Sequence, residues 1–222
     1  MASNIIAYVG IDNFENMMYL SRILLKLGKR VLVVDHSETQ SLTYSIPQPI
    51  GVCCEKEIVT CRQVDFTTRA IDQELTENYD DILIAYGFTE PLQDISICSR
   101  LVWVTNFYRY NFERRVSLTY SDGMMHDATK SLLIKDAFEI KITPEMVAER
   151  MDVQIPSENV YVLYRDEKDY LNGLICHYNG AFRFMDISKQ LKRYLMEEAR
   201  ILHPEIDINQ RKAAYRRAMK GE

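Results

Sequence analysis

The sequence predicts an α/β fold: a mostly parallel, doubly wound sheet with helices on both faces and a helical tail at the C-terminus. Three observations carry this. Several short segments are apolar at consecutive positions, as strands buried on both faces must be; Ile5–Val9, Val31–Val34, Ile82–Ala85 and Leu101–Val104 are the clearest. Segments with helical spacing of apolar residues lie between them. Strands that alternate with helices in this way build a parallel sheet covered on each side.

The opening strand runs from Asn4 to Val9. A helix follows from about Asn13, with Phe14, Met17, Met18, Leu20, Ile23, Leu24 and Leu27 on one face and Gly28 as its C-terminal cap. Val31–Val34 is the second strand, and Asp35 stands at its tip. The polar stretch His36–Gly51, with Pro47 and Pro49, reads as a long loop. Gly51–Phe66 has room for one or two short strands. Thr67–Asn78 reads as a helix capped by Thr67 or Thr68. Asp81–Gly87 is the next central strand, Pro91–Cys98 a short helix, and Arg100–Asn106 a further strand. Tyr108–Leu118 is helical, and Lys130–Asp136 is a strand. Thr143-Pro144-Glu145-Met146 opens a helix, with a threonine cap and proline in its first turn. Val160–Tyr164 is again a strand. Asn179-Gly180, flanked by Ile175–Tyr178 and Ala181–Met185, reads as a hairpin turn. Asp186 is the expected cap of a long helix to about Leu202, which Pro204 stops. Asp207–Lys220 forms a basic terminal helix. The chain therefore divides into an α/β domain over residues 1–203 and a tail over 204–222.

The chain has 222 residues, 47% hydrophobic and 27% charged, with a formal net charge of −5. That acidic balance argues against a general nucleic-acid binder. No apolar run reaches the roughly 20 residues of a membrane span, and no secretion signal is visible. A cytoplasmic protein is expected. Five cysteines, an odd number, fit reduced thiols better than a disulfide framework. Cys53, Cys54 and Cys61, with His36 upstream, lack the paired spacing of a zinc knuckle, so no metal is expected. His126 falls in the polar loop Asp122–Asp127 without identifiable metal partners. For thiol catalysis, Cys176 and His177 would point to opposite faces of a strand and so not pair. Cys61 with His36 is the other pairing considered.

Two segments suggest contacts with other molecules. Phe107–Arg115 follows a strand and is rich in aromatic and basic residues. Tyr and Arg are enriched at interface hot spots, so Tyr108, Arg109, Tyr110, Phe112, Arg114 and Arg115 are candidates for an interaction surface. The tail carries Arg211, Lys212, Arg216 and Arg217 interleaved with alanines. Its apolar face is small for a membrane helix. A solvated basic helix or a protein-docking segment is the better reading, with membrane contact at the inner face of the membrane and local DNA contact as alternatives.

The order of elements resembles the ParA/MinD branch of P-loop ATPases. The residues that carry this are Ile5-Ile6-Ala7, Leu27-Gly28-Lys29-Arg30-Val31-Leu32-Val33-Val34-Asp35, Tyr79-Asp80-Asp81-Ile82-Leu83-Ile84 and Arg100-Leu101-Val102-Trp103-Val104-Thr105. The resemblance implies a P-loop between the first strand and helix, in which glycines wrap the phosphates, a lysine neutralises them and a hydroxyl holds magnesium. Here the connection is Gly10-Ile11-Asp12-Asn13-Phe14-Glu15-Asn16, about four residues shorter than the family loop, with one glycine and no lysine, serine or threonine. Asp12 and Glu15 have the spacing of a capping box. Their carboxylates would occupy the amides a phosphate needs and would repel it. Ala85 stands where the resemblance places a magnesium-side aspartate. Leu133-Ile134-Lys135-Asp136 replaces a strand end where many relatives carry an adenine-reading asparagine. Asp35 survives, and is equally suited to capping its loop.

The degenerate site is thus Gly10, Asp12, Asn13, Glu15, Asp35 and Ala85. The resulting expectation is a pseudo-ATPase without cofactor: an adaptor, localisation or assembly factor for a bacterial secretion, pilus or partition machine, working through protein partners, a homodimer among them. An active ATPase or GTPase completed by a partner chain's lysine, and a DNA-associated partition accessory acting through the tail, are the alternatives.

Overall fold

A computed structural model of the chain describes residues 3–47, 57–89, 95–117, 128–180 and 182–221. Cys53, Cys54, Pro49, the start of the helix expected over 91–98 and the loop containing His126 lie outside them, as does the Arg115 side chain.

Among the described residues eight strands form one sheet in the order β3-β4-β2-β5-β1-β6-β7-β8. The strands are β1 (Asn4–Gly10), β2 (Val31–Asp35), β3 (Val59–Cys61), β4 (Val64–Thr67), β5 (Asp81–Gly87), β6 (Arg100–Thr105), β7 (Thr129–Ala137) and β8 (Val160–Tyr164). Among the described strands only the short β3–β4 pair is antiparallel. β1 lies between β5 and β6 at the centre, with all its residues from Ile5 to Gly10 buried.

Alternate side chains of these strands feed two separate cores. On one face Ile6, Tyr8, Val33, Leu83, Val102 and Leu133 pack against α1 (Phe14–Lys26), α7 (Lys189–Leu202) and α8 (Ile208–Lys220). On the other, Ala7, Leu32, Ile82, Trp103 and Ile134 pack against α3 (Gln73–Asn78), α4 (Arg109–Ser117) and α5 (Pro144–Arg150). This is the doubly wound arrangement that the sequence predicts.

Four local expectations are corrected. Within the loop expected over 36–51, Ser41–Ser45 forms a short helix, α2. Thr67 ends β4, Thr68 follows it outside any element, and α3 is capped by Asp72, whose carboxylate accepts the Leu75 amide. No hairpin surrounds Asn179-Gly180. Glu167–Asn179 is a helix, α6, capped by Asp166 through the Lys168 and Asp169 amides. Gly180, at φ 60°, ψ 20°, closes that helix in the left-handed conformation. The same dipeptide serves a type I′ turn and a helix C-terminus, because both need positive φ. Finally, α7 is capped by Ser188, whose hydroxyl accepts the Leu191 amide, rather than by Asp186.

The C-terminal helix is not free in solvent. Ala214 and Ala218 are fully buried, and their small side chains let α8 approach α1 closely. Arg217 donates to the Lys26 carbonyl at the end of α1 (2.8 Å), and Arg211, itself buried, donates to the Ile206 and His203 carbonyls. Two of the four tail cations expected to face a partner thus serve the fold, while Lys212 and Arg216 remain exposed.

A polar layer underlies the opposite end of the sheet from the candidate site. At the N-terminal ends of the strands Arg100 and Glu198 form an ion pair (2.7 Å) with almost no exposure, and Arg100 also donates to Ser131. Beside them His203, in the cap of α7, meets Asp81 at 2.8 Å, and Asn4 donates to the same carboxylate.

Candidate functional site

In open α/β sheets ligands bind outside the carboxyl ends of the strands, where the order reverses. Here that place is the mouth formed by β1, β2 and β5. Gly10 ends β1 with φ +122°, and a Cβ there would lie 2.0 Å from the Val104 carbonyl oxygen on β6. The Ile11 amide then donates to the same oxygen (3.0 Å). The turn is therefore held against β6 from its first residue.

The chain enters α1 without a phosphate-sized loop. Asp12 Oδ1 accepts the Phe14 amide (2.8 Å), which uses one of the free donors at the helix start. Asn13 takes the cap position but makes no side-chain cap bond, and its oxygen accepts from Asn16 instead (2.7 Å). Glu15 departs from the expected capping box. It does not reach back across the turn; its carboxylate meets its own amide, Lys135 Nζ at 3.5 Å and His177 Nε2 at 3.1 Å. Burial alone would favour the neutral acid, but the Lys135 ammonium and the His177 hydrogen bond outweigh it. The carboxyl is brought down to about 2.

Lys135 is the residue that sequence reasoning missed here. It leaves the end of β7 and donates to the Asp12 carbonyl (2.8 Å) as well as pairing with Glu15. The turn thus has a cation after all. That cation is already engaged by two protein oxygens, the Asp12 carbonyl and the Glu15 carboxylate. Residues 15, 135 and 177 share no local pattern, and no spacing rule would have joined them.

His177 extends the cluster. A carboxylate only accepts, so Nε2 carries a proton towards Glu15, and Nδ1 lies 3.1 Å from the Ser45 hydroxyl. The order hydroxyl, imidazole, carboxylate is that of a hydrolytic relay. Here the imidazole lies 4.2 Å from the Phe14 ring and the carboxylate is shared with Lys135, so the trio acts as a strut joining α1, α2 and α6.

The other expected positions are accounted for individually. Asp35 is buried and accepts the amides and hydroxyls of Ser37 and Thr43. It caps its own loop. Ala85 lies between Tyr8 and Asp35 in register and presents a methyl group to the mouth. Glu38 accepts the Phe88 amide (2.9 Å) and pairs with Arg114 (3.3 Å), whose guanidinium lies 4.0 Å over the Phe88 ring. These groups close over a crevice of about 210 Å³, below the roughly 300 Å³ at which ligand pockets begin.

Several solved structures share this architecture. The chain is similar to the cell-division ATPase MinD of Pyrococcus furiosus, with 18% identity and a TM-score of 0.60, covering 90% of this chain and 99% of that one. It is similar to the septum site-determining protein MinD of Pyrococcus horikoshii, complexed with Mg-ADP (17%, TM-score 0.59, 93% and 100%), and to a ParA family ATPase of Chlorobium tepidum (12%, TM-score 0.59, 89% and 99%). The fold is ParA/MinD-like. At these identities the likeness concerns the fold alone. No protein-family model matches the chain, and no curated protein matches it.

Of the aromatic and basic segment expected as an interaction surface, Tyr108 and Tyr110 are exposed and stacked at 5.7 Å. Arg109 pairs with Glu113 on the helix surface. Phe112 belongs to the core, since the inward face of α4 must cover the sheet. Cys176, expected on a strand, lies on α6; it donates to the Arg183 carbonyl, and burial raises its pKa. Cys61 is buried and its pKa is likewise raised by burial, the opposite of what a nucleophile needs. Among the described residues no His, Cys, Asp and Glu group is arranged to hold a metal ion, and no helix is long and apolar enough to cross a membrane.

Proposed function

We propose that this protein is a non-catalytic, pseudo-ATPase variant of the ParA/MinD-like fold. It serves as an adaptor, localisation or assembly factor for a bacterial machine of the secretion, pilus or partition kind, and acts through protein partners, a second copy of itself included. The observation that carries this reading is the first turn. Asp12 and Glu15 already hold amides at the start of α1, and Lys135 is spent on the Asp12 carbonyl and Glu15. A triphosphate would have to displace two carboxylates from that helix start and would find no hydroxyl in the turn for its magnesium. The narrow mouth under Glu38, Phe88 and Arg114 supports the same reading.

The test is titration calorimetry with ATP and magnesium, together with a turnover assay at rising protein concentration. The expected result is no binding heat at tens of micromolar protein and no phosphate release. A micromolar dissociation constant refutes the reading. Turnover that grows with protein concentration would instead favour an active site completed by a second chain.

A further inference from the structure

Helix α6 is built inside out. Its inward face is polar or small: Asp169 accepts from the Ser188 amide and hydroxyl, Asn172 donates to the Arg183 carbonyl, and His177 meets Glu15. Its outward face holds Tyr170, Leu171, Leu174, Ile175 and Tyr178, which are 56%, 48%, 49%, 59% and 95% exposed. At 100° per residue these five fall within an arc of about 140°, so they form one continuous stripe. Soluble helices turn such a stripe to the core, and an exposed apolar stripe of this size marks a contact surface.

We propose that this stripe is where two copies of the chain associate, as an antiparallel α6–α6 pair about a two-fold axis passing Leu174. The order along the stripe is Tyr, Leu, Leu, Ile, Tyr, which reads nearly the same in both directions. About that axis an isologous contact brings together the residues four positions either side of Leu174, and these are the two tyrosines. Leu174 then faces its own copy, and Tyr170 faces Tyr178 of the partner subunit. The area is sufficient. At roughly 200 Å² per large side chain the exposed fractions amount to roughly 600 Å² per copy, close to the roughly 800 Å² a side of a stable interface. The Arg165 guanidinium, 5.8 Å from Tyr170 and 5.9 Å from Phe138, extends the patch to Phe138, which is itself half exposed. A lipid surface fits less well, since Lys168 is the sole lysine or arginine on α6. The inference rests on the adaptor reading in one respect only, that association requires no nucleotide.

The experiment is light scattering after size exclusion at tens of micromolar protein, with and without ATP and magnesium. It compares the natural chain with the double variant Leu174→Glu, Ile175→Glu, whose positions face solvent and leave the fold intact by circular dichroism. The expected result is a dimer without nucleotide and a monomer for the variant, a loss of at least a hundredfold in association. A second variant, Leu174→Cys, is expected to form a covalent dimer on mild oxidation while the natural chain does not. A monomer in every condition, a dimer that survives the double variant, no covalent dimer from Leu174→Cys, or a natural chain that stays monomeric and sediments with anionic vesicles would each overturn the proposal. A dimer that forms only with ATP and magnesium would overturn both this proposal and the adaptor reading. Nucleotide binding by a dimer already present without it would remove the adaptor reading and leave the α6 interface standing.

Discussion

The Arg100–Glu198 pair gives the most exposed test of how this fold is held together. Glu198 projects from α7 into the base of the sheet and meets the Arg100 guanidinium at 2.7 Å, with side-chain exposures of 0% and 3%. Burial pushes the Glu198 carboxyl up to about 7 although the Arg100 guanidinium opposes the rise, and Glu198 in turn holds that guanidinium charged against desolvation; the test is therefore made above that pH, where the carboxylate is ionised. Glu198→Gln keeps the shape and removes the charge, leaving the buried guanidinium beside Ser131 without its carboxylate partner. Removing one partner of such a pair costs about 3–5 kcal/mol, whereas exchanging both for apolar residues of similar volume is often neutral. The single variant is therefore expected to lose about 3–5 kcal/mol in urea titration, a fall of about 10 °C in melting temperature for a chain of this size. The double variant Arg100→Met, Glu198→Leu is expected to recover most of that loss. A single variant costing less than about 1 kcal/mol, or a double variant no more stable than the single one, would refute the claim that an unpaired buried charge is what the pairing prevents.

Three further outcomes follow from local geometry. The Glu15 carboxyl is depressed from 4.5 in the unfolded chain to about 2 in the fold. It therefore contributes stability that is complete above about pH 5 and is lost as the pH falls towards 2; acid titration of unfolding should show this slope, and Glu15→Gln should flatten it. Gly10→Ala would place a methyl carbon 2.0 Å from the Val104 oxygen at a φ of +122°, so it should part β1 from β6, with soluble yield and melting temperature both falling sharply. Asp166→Ala removes the cap of α6 and should cost about 1 kcal/mol by urea titration, a loss that would not occur if residues 175–185 formed a hairpin.

Much of the architecture was legible because parallel strands buried on both faces leave an unbroken apolar record. For that reason the expected ends of β1, β2, β5 and β6 lie within a residue or so of the observed ones. Helix α1 announced itself by spacing and by Gly28. Helix α6 is not legible in the sequence because its pattern is inverted. Its apolar residues face solvent and its inward residues are Asp169, Asn172, Cys176 and His177, so a search for a buried stripe finds none where the helix touches the protein. The Asn179-Gly180 pair then supplied a plausible turn. At the site, the missing glycines, lysine and hydroxyl were evident in a single local stretch. What filled their place was not, since Lys135 and His177 come from elements more than a hundred residues away. The alanines of α8 carried too little hydrophobic weight to reveal a packed helix, yet their smallness is what allows the close approach to α1.

The clamped first turn has a mechanical consequence. Residues 10–14 are tied to β6 through Ile11, to β7 through Lys135 and to the helix start through Asp12. A segment bolted to two adjacent strands is a weld and not a hinge. Force applied to α1 by anything seated on it, whether at the α8 side or through the His177 strut, passes straight into the centre of the sheet without being absorbed at the mouth. The amides of Ile11 and Phe14 should accordingly exchange with deuterium as slowly as those of β1 itself.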